Sequence, residues 1–387
     1  MSFTETTTTS WFARVKNALV MILIGLALVC GCIWLLAWNE GRSVATYRAL
    51  VEGAGLVSSV DSASVDPANE GKLVHISGAI RPDGVPVDDE LGVAAEGAFA
   101  VRRAVEMYQW VQQEKSETKK QLGGSEETVT TYSYAKEWRS DAVDSSNFRQ
   151  AGHDNPEMPI EGALSTVDSA SLGAFRIDGD RVAALGQSKA IELTADEAAQ
   201  VSEAIGLDGS AAVRNGWAIF SDDPQKPAIA DLRVRFERVD LDQASFVGAQ
   251  RGQEIVGYRA SNGRTLFLSE AGTVDAARMF DAAQSENTLI TWLIRIGGLV
   301  GIFVGFAMML SILGVIADVV PFIGSIVRFG TGAVALVLTM LIGPLVIAVA
   351  WIAYRPLVAI GVLAAGALLA AGIVYLRRGR QALPAAA

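Results

Sequence analysis

Charge is scarce in this chain. Only 19% of its 387 residues are Asp, Glu, Lys or Arg, against about 25% in an average soluble domain, a deficit that accompanies membrane-spanning segments. Cysteine and histidine number two each, which excludes a disulfide scaffold and a structural zinc module. Both cysteines, Cys30 and Cys32, lie in an apolar run, where a thiol behaves as a small hydrophobe. A basic face is missing too. Of the total charge of −10, residues 1–39 carry +1 and residues 295–387 carry +5, so residues 40–294 carry −16. A nucleic-acid binder is thereby excluded, because the large central region is acidic. No GxSxG, P-loop, HExxH or GxGxxG motif occurs, which removes the common hydrolase, nucleotide and zinc-protease signatures.

What the chain has instead is long apolar runs. A helix needs about 20 mostly apolar residues to cross a hydrocarbon core of about 30 Å. Four windows reach that length: 17–39, between Lys16 and Glu40; 296–317, between Arg295 and Asp318; 329–354, between Arg328 and Arg355; and 356–376, before Arg377. Lys and Arg near span ends set orientation, and the densest group, Arg377, Arg378 and Arg380, assigns the tail 377–387 to the cytoplasm. Four spans then put residues 1–16 and the loop 318–328 on that side and leave 40–294 extracytoplasmic. Arg295 and Arg355 fall at the outer interface, where long side chains snorkel to headgroups. A cleaved signal peptide fits the first run poorly, since the run is long for an h-region and no A-x-A-like site follows.

Within the spans, Gly297, Gly301 and Gly305 recur on one helix face and permit close backbone approach, within or between subunits. Gly343 and Pro344 interrupt the third window, where proline kinks a helix. A broken helix can line an ion path. Yet no Asp, Glu, Lys, Arg or His lies in any of the four windows, which argues against a transporter or proton pump.

The region 40–294 is long enough for one large or two modest domains. Residues 41–52 extend the first span as a helix. Strands are expected at 73–77, 175–177, 217–220, 232–239, 246–250, 255–259 and 265–268, where apolar and polar residues alternate or turn residues bound apolar runs. Residues 101–139 read as two long strands about a polar loop at Gly123 and Gly124. Glu106, Tyr108, Trp110 and Gln112 share a face of the first strand, and Thr130, Tyr132, Tyr134, Lys136 and Trp138 share one of the second. Opposed aromatics make good cross-strand pairs. TADE at 194–197 is a capping box that opens a helix, and an amphipathic helix runs from Thr273 toward the second span. The expected fold is therefore a helical bundle of four spans, one N-terminal and three C-terminal, with a large mainly-β (α+β) extracytoplasmic domain.

Several stretches carry a resemblance: WNEGR at 38–42, LVHISG at 73–78, VEMYQWV at 105–111, TYSYAKEWRS at 131–140, NFRQAGHDNP at 147–156, DLRVRF at 231–236 and YRP at 354–356. With the order of one span, a large domain and further spans, the chain resembles the transmembrane protein 43 family, also called LUMA. The resemblance implies an integral membrane protein with both termini cytoplasmic. Animal members sit in the endoplasmic reticulum and inner nuclear membrane, self-associate and organise membrane protein complexes, with emerin and lamins as partners. The Ala-, Val- and Gly-rich, Lys-poor composition suggests a bacterial member in an inner or cell membrane, its domain facing the periplasm or exterior. The family brings no catalytic residues with it.

A Ser-His-Asp triad would need His75 or His153. His153 is the better placed, in the polar GHDNP segment, whereas His75 reads as a mid-strand residue satisfied by a neighbour. A candidate ligand or partner site gathers Glu106, Tyr108, Trp110, Tyr132, Tyr134, Glu137, Trp138, Arg139, His153 and Asn155. There a carboxylate against aromatic walls would serve as acid or base and an arginine would hold a phosphate. The plainer reading makes Glu137 and Arg139 a surface ion pair beside a structural Trp138. Acidic residues show no ligand spacing, so neither metal nor cofactor is expected. The leading functional reading is a non-enzymatic scaffold that organises membrane protein complexes, with membrane lipids, its own copies and other membrane or envelope proteins as partners. An extracytoplasmic enzyme or binder of lipid or glycan is the alternative, and an oligomeric channel the third.

Overall fold

The computed structural model describes residues 2–206, 211–357, 360, 361 and 364. Along the chain, β1 (Ser2–Thr9) precedes α1 (Trp11–Leu56), followed by β2 (Ser58–Ser59), a 3-10 turn (Pro67–Asn69), β3 (Leu73–Pro82), β4 (Val87–Asp88), β5 (Val93–Ala94) and two long strands, β6 (Ala100–Lys120) and β7 (Glu126–Arg139). After an irregular stretch come β8 (Ala163–Thr166), β9 (Ser169–Leu172), β10 (Phe175–Asp178), α2 (Gly179–Ala183), β11 (Gln187–Ile191), α3 (Ala195–Ile205), β12 (Ala211–Arg214) and β13 (Trp217–Phe220). Then follow β14 (Leu232–Asp240), β15 (Gln243–Arg251), β16 (Glu254–Val256), β17 (Tyr258–Arg259), β18 (Thr265–Leu266), β19 (Leu268–Ala271), α4 (Ala276–Ala317) and α5 (Pro321–Tyr354). The chain divides into two compact units.

The helical unit comprises residues 8–48, residues 118–127 and the chain from Gln284 onward. Its helices α1, α4 and α5 are each long and apolar enough to cross a membrane. Among the described residues the spans are therefore three, one N-terminal and two C-terminal, where four were expected. The fourth expected window, 356–376, lies outside the described residues except for Pro356, Leu357, Ile360, Gly361 and Ala364. The third helix begins at Pro321, well before the expected 329, because Pro321 occupies its first turn, where the missing N–H costs nothing and the fixed φ suits a helix. Glycines let the helices touch. Gly301 faces Cys32 Sγ, and a Cβ on Gly305 would fall 2.6 Å from Val29 Cγ2. Cys32, Leu36 and Ile302 form the buried seam, flanked by Leu28, Ile33, Phe306 and Val346. Gly297 faces open space, Gly343 receives Leu299, and α5 runs on through Pro344 as one helix.

The domain unit comprises the N-terminal residues through Thr7, Ala49–Glu117 and Thr128–Ala283. Its first sheet has the order β1-β7-β6-β14-β13-β12, with β11 on β14 and β8 on β6. Along β14, Leu232, Val234 and Phe236 are buried while Arg233, Arg235 and Glu237 are only partly so, the pattern of a half-buried strand. These apolar residues pack with Val105 and Met107 of β6 and with Ala198 and Val201 of α3.

The second sheet closes on itself. β15 pairs with both β16 and β3, and β16, β10, β9 and β3 complete the ring, so these five strands form a small barrel filled by Val74, Ile76, Leu172, Phe175, Ile177 and Phe246. Gly248 permits that closure, since a Cβ there would fall 2.6 Å from the Val256 carbonyl. Ala49 and Leu50 of α1 and Met279 and Phe280 of α4 join Leu73, Val247 and Leu266 in a third apolar cluster. The expectation of a mainly-β domain is thus corrected to a mixed α/β domain with a barrel. The barrel was not legible as such because its pairings, such as Val247 with His75, link residues far apart in the chain.

Candidate functional site

The expected hairpin is present as β6 and β7, and its aromatic face divides into two clusters. In the first, Tyr108 and Trp138 sit 5.3 Å apart. Arg233 of β14 lies 4.6 Å over Trp138 and 4.6 Å over Trp217, and its Nε donates to Glu106 Oε2 at 2.7 Å. A guanidinium between two indoles gains cation–π energy, and it neutralises the carboxylate. Glu106 is therefore engaged by Arg233.

The second cluster surrounds His153. Its ring stacks on Tyr134 at 3.9 Å and meets Trp110 edge-on at 4.5 Å. Phe148 adds an edge contact to Tyr134 at 5.7 Å, and Lys136 Nζ lies 4.7 Å over Trp110. The contact between His153 Nδ1 and the Gln150 carbonyl, at 3.2 Å, assigns the proton to Nδ1.

The stretch between β7 and β8 is strapped onto this face by side-chain amides. Asn155 Oδ1 accepts from the Trp110 N–H at 2.7 Å and its Nδ2 donates to the Trp110 carbonyl at 2.9 Å, as a neighbouring strand would. Gln109 bonds the Asp141 carbonyl and the Val143 N–H at 3.1 and 2.8 Å. Gln112 accepts from the Arg149 N–H and the Tyr134 hydroxyl, at 2.8 Å each. Tyr132 is buried, with Phe3 of β1 stacked at 6.2 Å and Arg149 5.9 Å above it. The Tyr132 hydroxyl raises the Arg149 pKa above its ordinary value, as does the charge of Glu5. Glu137 accepts from Gln113 Nε2 at 3.5 Å, and Arg139 is exposed. His75 is satisfied at both ring nitrogens: Ser59 Oγ lies 3.0 Å from Nδ1 and the Val274 carbonyl 2.9 Å from Nε2. With the carbonyl able only to accept, Nε2 carries the proton.

Of the candidate residues, the fold thus brings Trp110, Tyr134, His153 and Asn155 together, and sets Glu106, Tyr108 and Trp138 in a neighbouring cluster. Each cluster is filled by the domain's own side chains.

Two polar layers in the helical unit were not assigned from the sequence. In the first, Glu40 is wholly buried and accepts from Arg295 Nε and Nη2 at 2.7 and 2.8 Å and from Trp351 Nε1 at 2.9 Å. Arg295, expected to reach headgroups, is instead held between α1 and α5 with Trp292 and Trp351 against it. Beside it, Arg42 bonds Asn39, Asn287 and Thr291, and Asn287 bonds the Ser43 carbonyl. The Tyr354 ring presses on Gly41, where a Cβ would lie 2.8 Å from Cζ. WNEGR and YRP therefore meet in space, and their recurrence in the resemblance was the available signal.

In the second layer, buried Asp318 takes Arg14, Arg328 and Lys120. Arg14 also bonds Glu126 at 2.9 Å and the Gly124 carbonyl, so the hairpin turn is tied to the start of α1. Trp11 Nε1 donates to the Val315 carbonyl at 3.0 Å. Among the described residues no group of three or more His, Cys, Asp or Glu is placed to hold a metal ion.

The family profile for Transmembrane protein 43 matches residues 107–356. Transmembrane protein 43 of Mus musculus is 34% identical over 350 residues, covering 87% of this chain and 85% of that protein. The Homo sapiens protein is 34% identical with the same coverage, and the Drosophila melanogaster homolog is 29% identical over 341 residues, covering 86% and 88%. No solved structure matches. These relatives are animal proteins, and they overturn the expectation of a bacterial member in a bacterial inner membrane. The Ala, Val and Gly content behind that expectation reflects the apolar spans and carries no lineage.

Proposed function

The chain belongs to the transmembrane protein 43 family, and from that premise we propose that it works as a multi-pass membrane scaffold. It is a membrane protein with a large folded extracytoplasmic domain. In the proposed role that domain recruits other membrane proteins, and copies of the chain associate with one another. In this proposal the membrane is that implied by the family resemblance, the endoplasmic reticulum and the nuclear envelope continuous with it, with the domain facing the lumen.

One observation carries the preference for a scaffold over an enzyme. The residue set best suited to chemistry is occupied by its own neighbours: His153 is stacked between Tyr134 and Trp110, and Glu106 is held by Arg233. An aromatic face closed by its own strapped loop makes a rigid, shaped surface, which suits protein recognition. Self-association in this reading uses helix faces other than Gly301 and Gly305, since α1 of the same chain already packs there.

The experiment is co-purification of two differently tagged copies from native membranes. A scaffold brings down the second copy, and His153→Ala and Glu106→Gln leave that capture intact. Failure of the two copies to associate would overturn the reading.

A further inference from the structure

At the end of the bundle where α1 leaves its apolar stretch and α5 stops, a pocket of about 450 Å³ opens between Val44, Tyr47 and Arg48 of α1 and the segment Tyr354–Leu357. Positions 44, 47 and 48 are three and four apart, so they share one helix face. The opposite wall is set by a break in the chain. Pro356 disfavours helical geometry in the residue before it, and Arg355 leaves the helix with φ −138° and ψ 60° while its N–H still bonds the Trp351 carbonyl.

The pocket is chemically lopsided. Arg48 donates to the Tyr354 carbonyl at 3.2 Å, which uses one of its five N–H groups. The Arg355 side chain has no partner among the described residues. Among the described residues the lining holds two guanidinium groups and no carboxylate, with two tyrosines and the apolar Val44, Pro356 and Leu357. The walls are fixed from below by the buried Glu40, Arg295 and Trp351 layer and by Tyr354 on Gly41. Trp351 and Tyr354 mark the depth, since such residues gather at membrane–water interfaces.

Two arginines match the planar, bidentate recognition of a phosphate. The apolar Val44, Pro356 and Leu357 of the same lining match the glycerol and first methylenes of an acyl chain. The geometry points to a binding site for the headgroup phosphate of an anionic phospholipid, held by Arg48 and Arg355 with the tyrosines beside it. Inorganic phosphate shares the charge but cannot use Val44, Pro356 and Leu357.

The test is native mass spectrometry of the full chain in mild detergent, titrated separately with dioleoylphosphatidylserine, dioleoylphosphatidylcholine and inorganic phosphate. One phosphatidylserine per chain is expected, bound at least tenfold more tightly than phosphatidylcholine and not displaced by millimolar phosphate. Arg48→Gln/Arg355→Gln should lower its occupancy at least tenfold and Arg355→Gln should lower it too, whereas Arg139→Gln, which matches the single charge lost in Arg355→Gln but on the exposed domain surface, should not. Arg355→Gln alone removes a side chain that holds no described part of the fold, so it reads the site even if the double variant unfolds. Unchanged binding in Arg355→Gln and the double variant, equal loss in Arg139→Gln, or displacement by inorganic phosphate would overturn the assignment.

Discussion

Removing Glu40 should destabilise the helical unit severely. Its carboxylate is fully buried, its partner Arg295 is 11% exposed, and two bonds of 2.7 and 2.8 Å join them. Breaking a buried pair from one side leaves a charge without compensation, which costs about 3–5 kcal/mol, whereas an exposed pair is worth about 0–1 kcal/mol. Glu40→Ala strands the Arg295 guanidinium and leaves Trp351 Nε1 without its acceptor, so the loss belongs near the upper part of that range. Arg295→Ala strands the carboxylate and should cost a similar amount. Glu40→Leu/Arg295→Leu removes both charges and should recover most of the stability, because a buried pair and its apolar replacement are often close in energy. Thermal unfolding in detergent, followed by circular dichroism, measures all three variants. The reasoning fails if each single variant loses less than about 1 kcal/mol, the value of a solvent-exposed pair, or if the double variant loses the sum of the two.

Gly301→Ile should force α4 away from Cys32 of α1 and cost about 1–3 kcal/mol through overpacking, measured by the same unfolding assay in dilute, monomer-favouring detergent. His153→Ala should cost about 0.5–1.5 kcal/mol, the worth of an aromatic stack. It should also speed hydrogen exchange at Val143, Arg149 and Gln150, whose N–H groups close the loop on this face. Thr194→Ala should cost about 0.5–2 kcal/mol of helix stability, seen as faster exchange in α3. In the same capping box the Thr194 N–H and hydroxyl hold the Glu197 pKa below its ordinary value. A depressed carboxylate contributes stability that is present above its unfolded pKa and lost as pH falls through its folded pKa. Protection of α3 should therefore be level at neutral pH and decline only below the ordinary carboxylate range, with Glu197→Gln flattening that decline.

What was legible in the sequence is what local chemistry decides. The alternation in LRVRFERV gives β14, the capping box at Thr194 gives the start of α3, and apolar length gives α1, α4 and α5. The paired aromatics of β6 and β7 were legible for the same reason. Strand β1 was not, because TETTTT is β-branched without any apolar alternation; it is ordered by pairing with β7 and by Phe3 on Tyr132. Nor were the ion pairs, since Glu40 and Arg295 are brought together from opposite ends of the domain insertion. The candidate site was half legible. Trp110, Tyr134, His153 and Asn155 meet in one cluster and Glu106, Tyr108 and Trp138 in another, while Glu137 and Arg139 join neither; Arg233 reaches Glu106 from β14 and Asn155 closes the loop on Trp110, and neither contact has a local signature.

The scaffold reading is tested most directly by the subunit count of the full chain, taken by native mass spectrometry after extraction in mild detergent. The account predicts a discrete homo-oligomer whose mass changes in His153→Ala and Glu106→Gln only by the substituted atoms. A monomer at every concentration, holding one glycan or lipid that His153→Ala releases, would contradict it and return the aromatic hairpin to consideration as a site of chemistry.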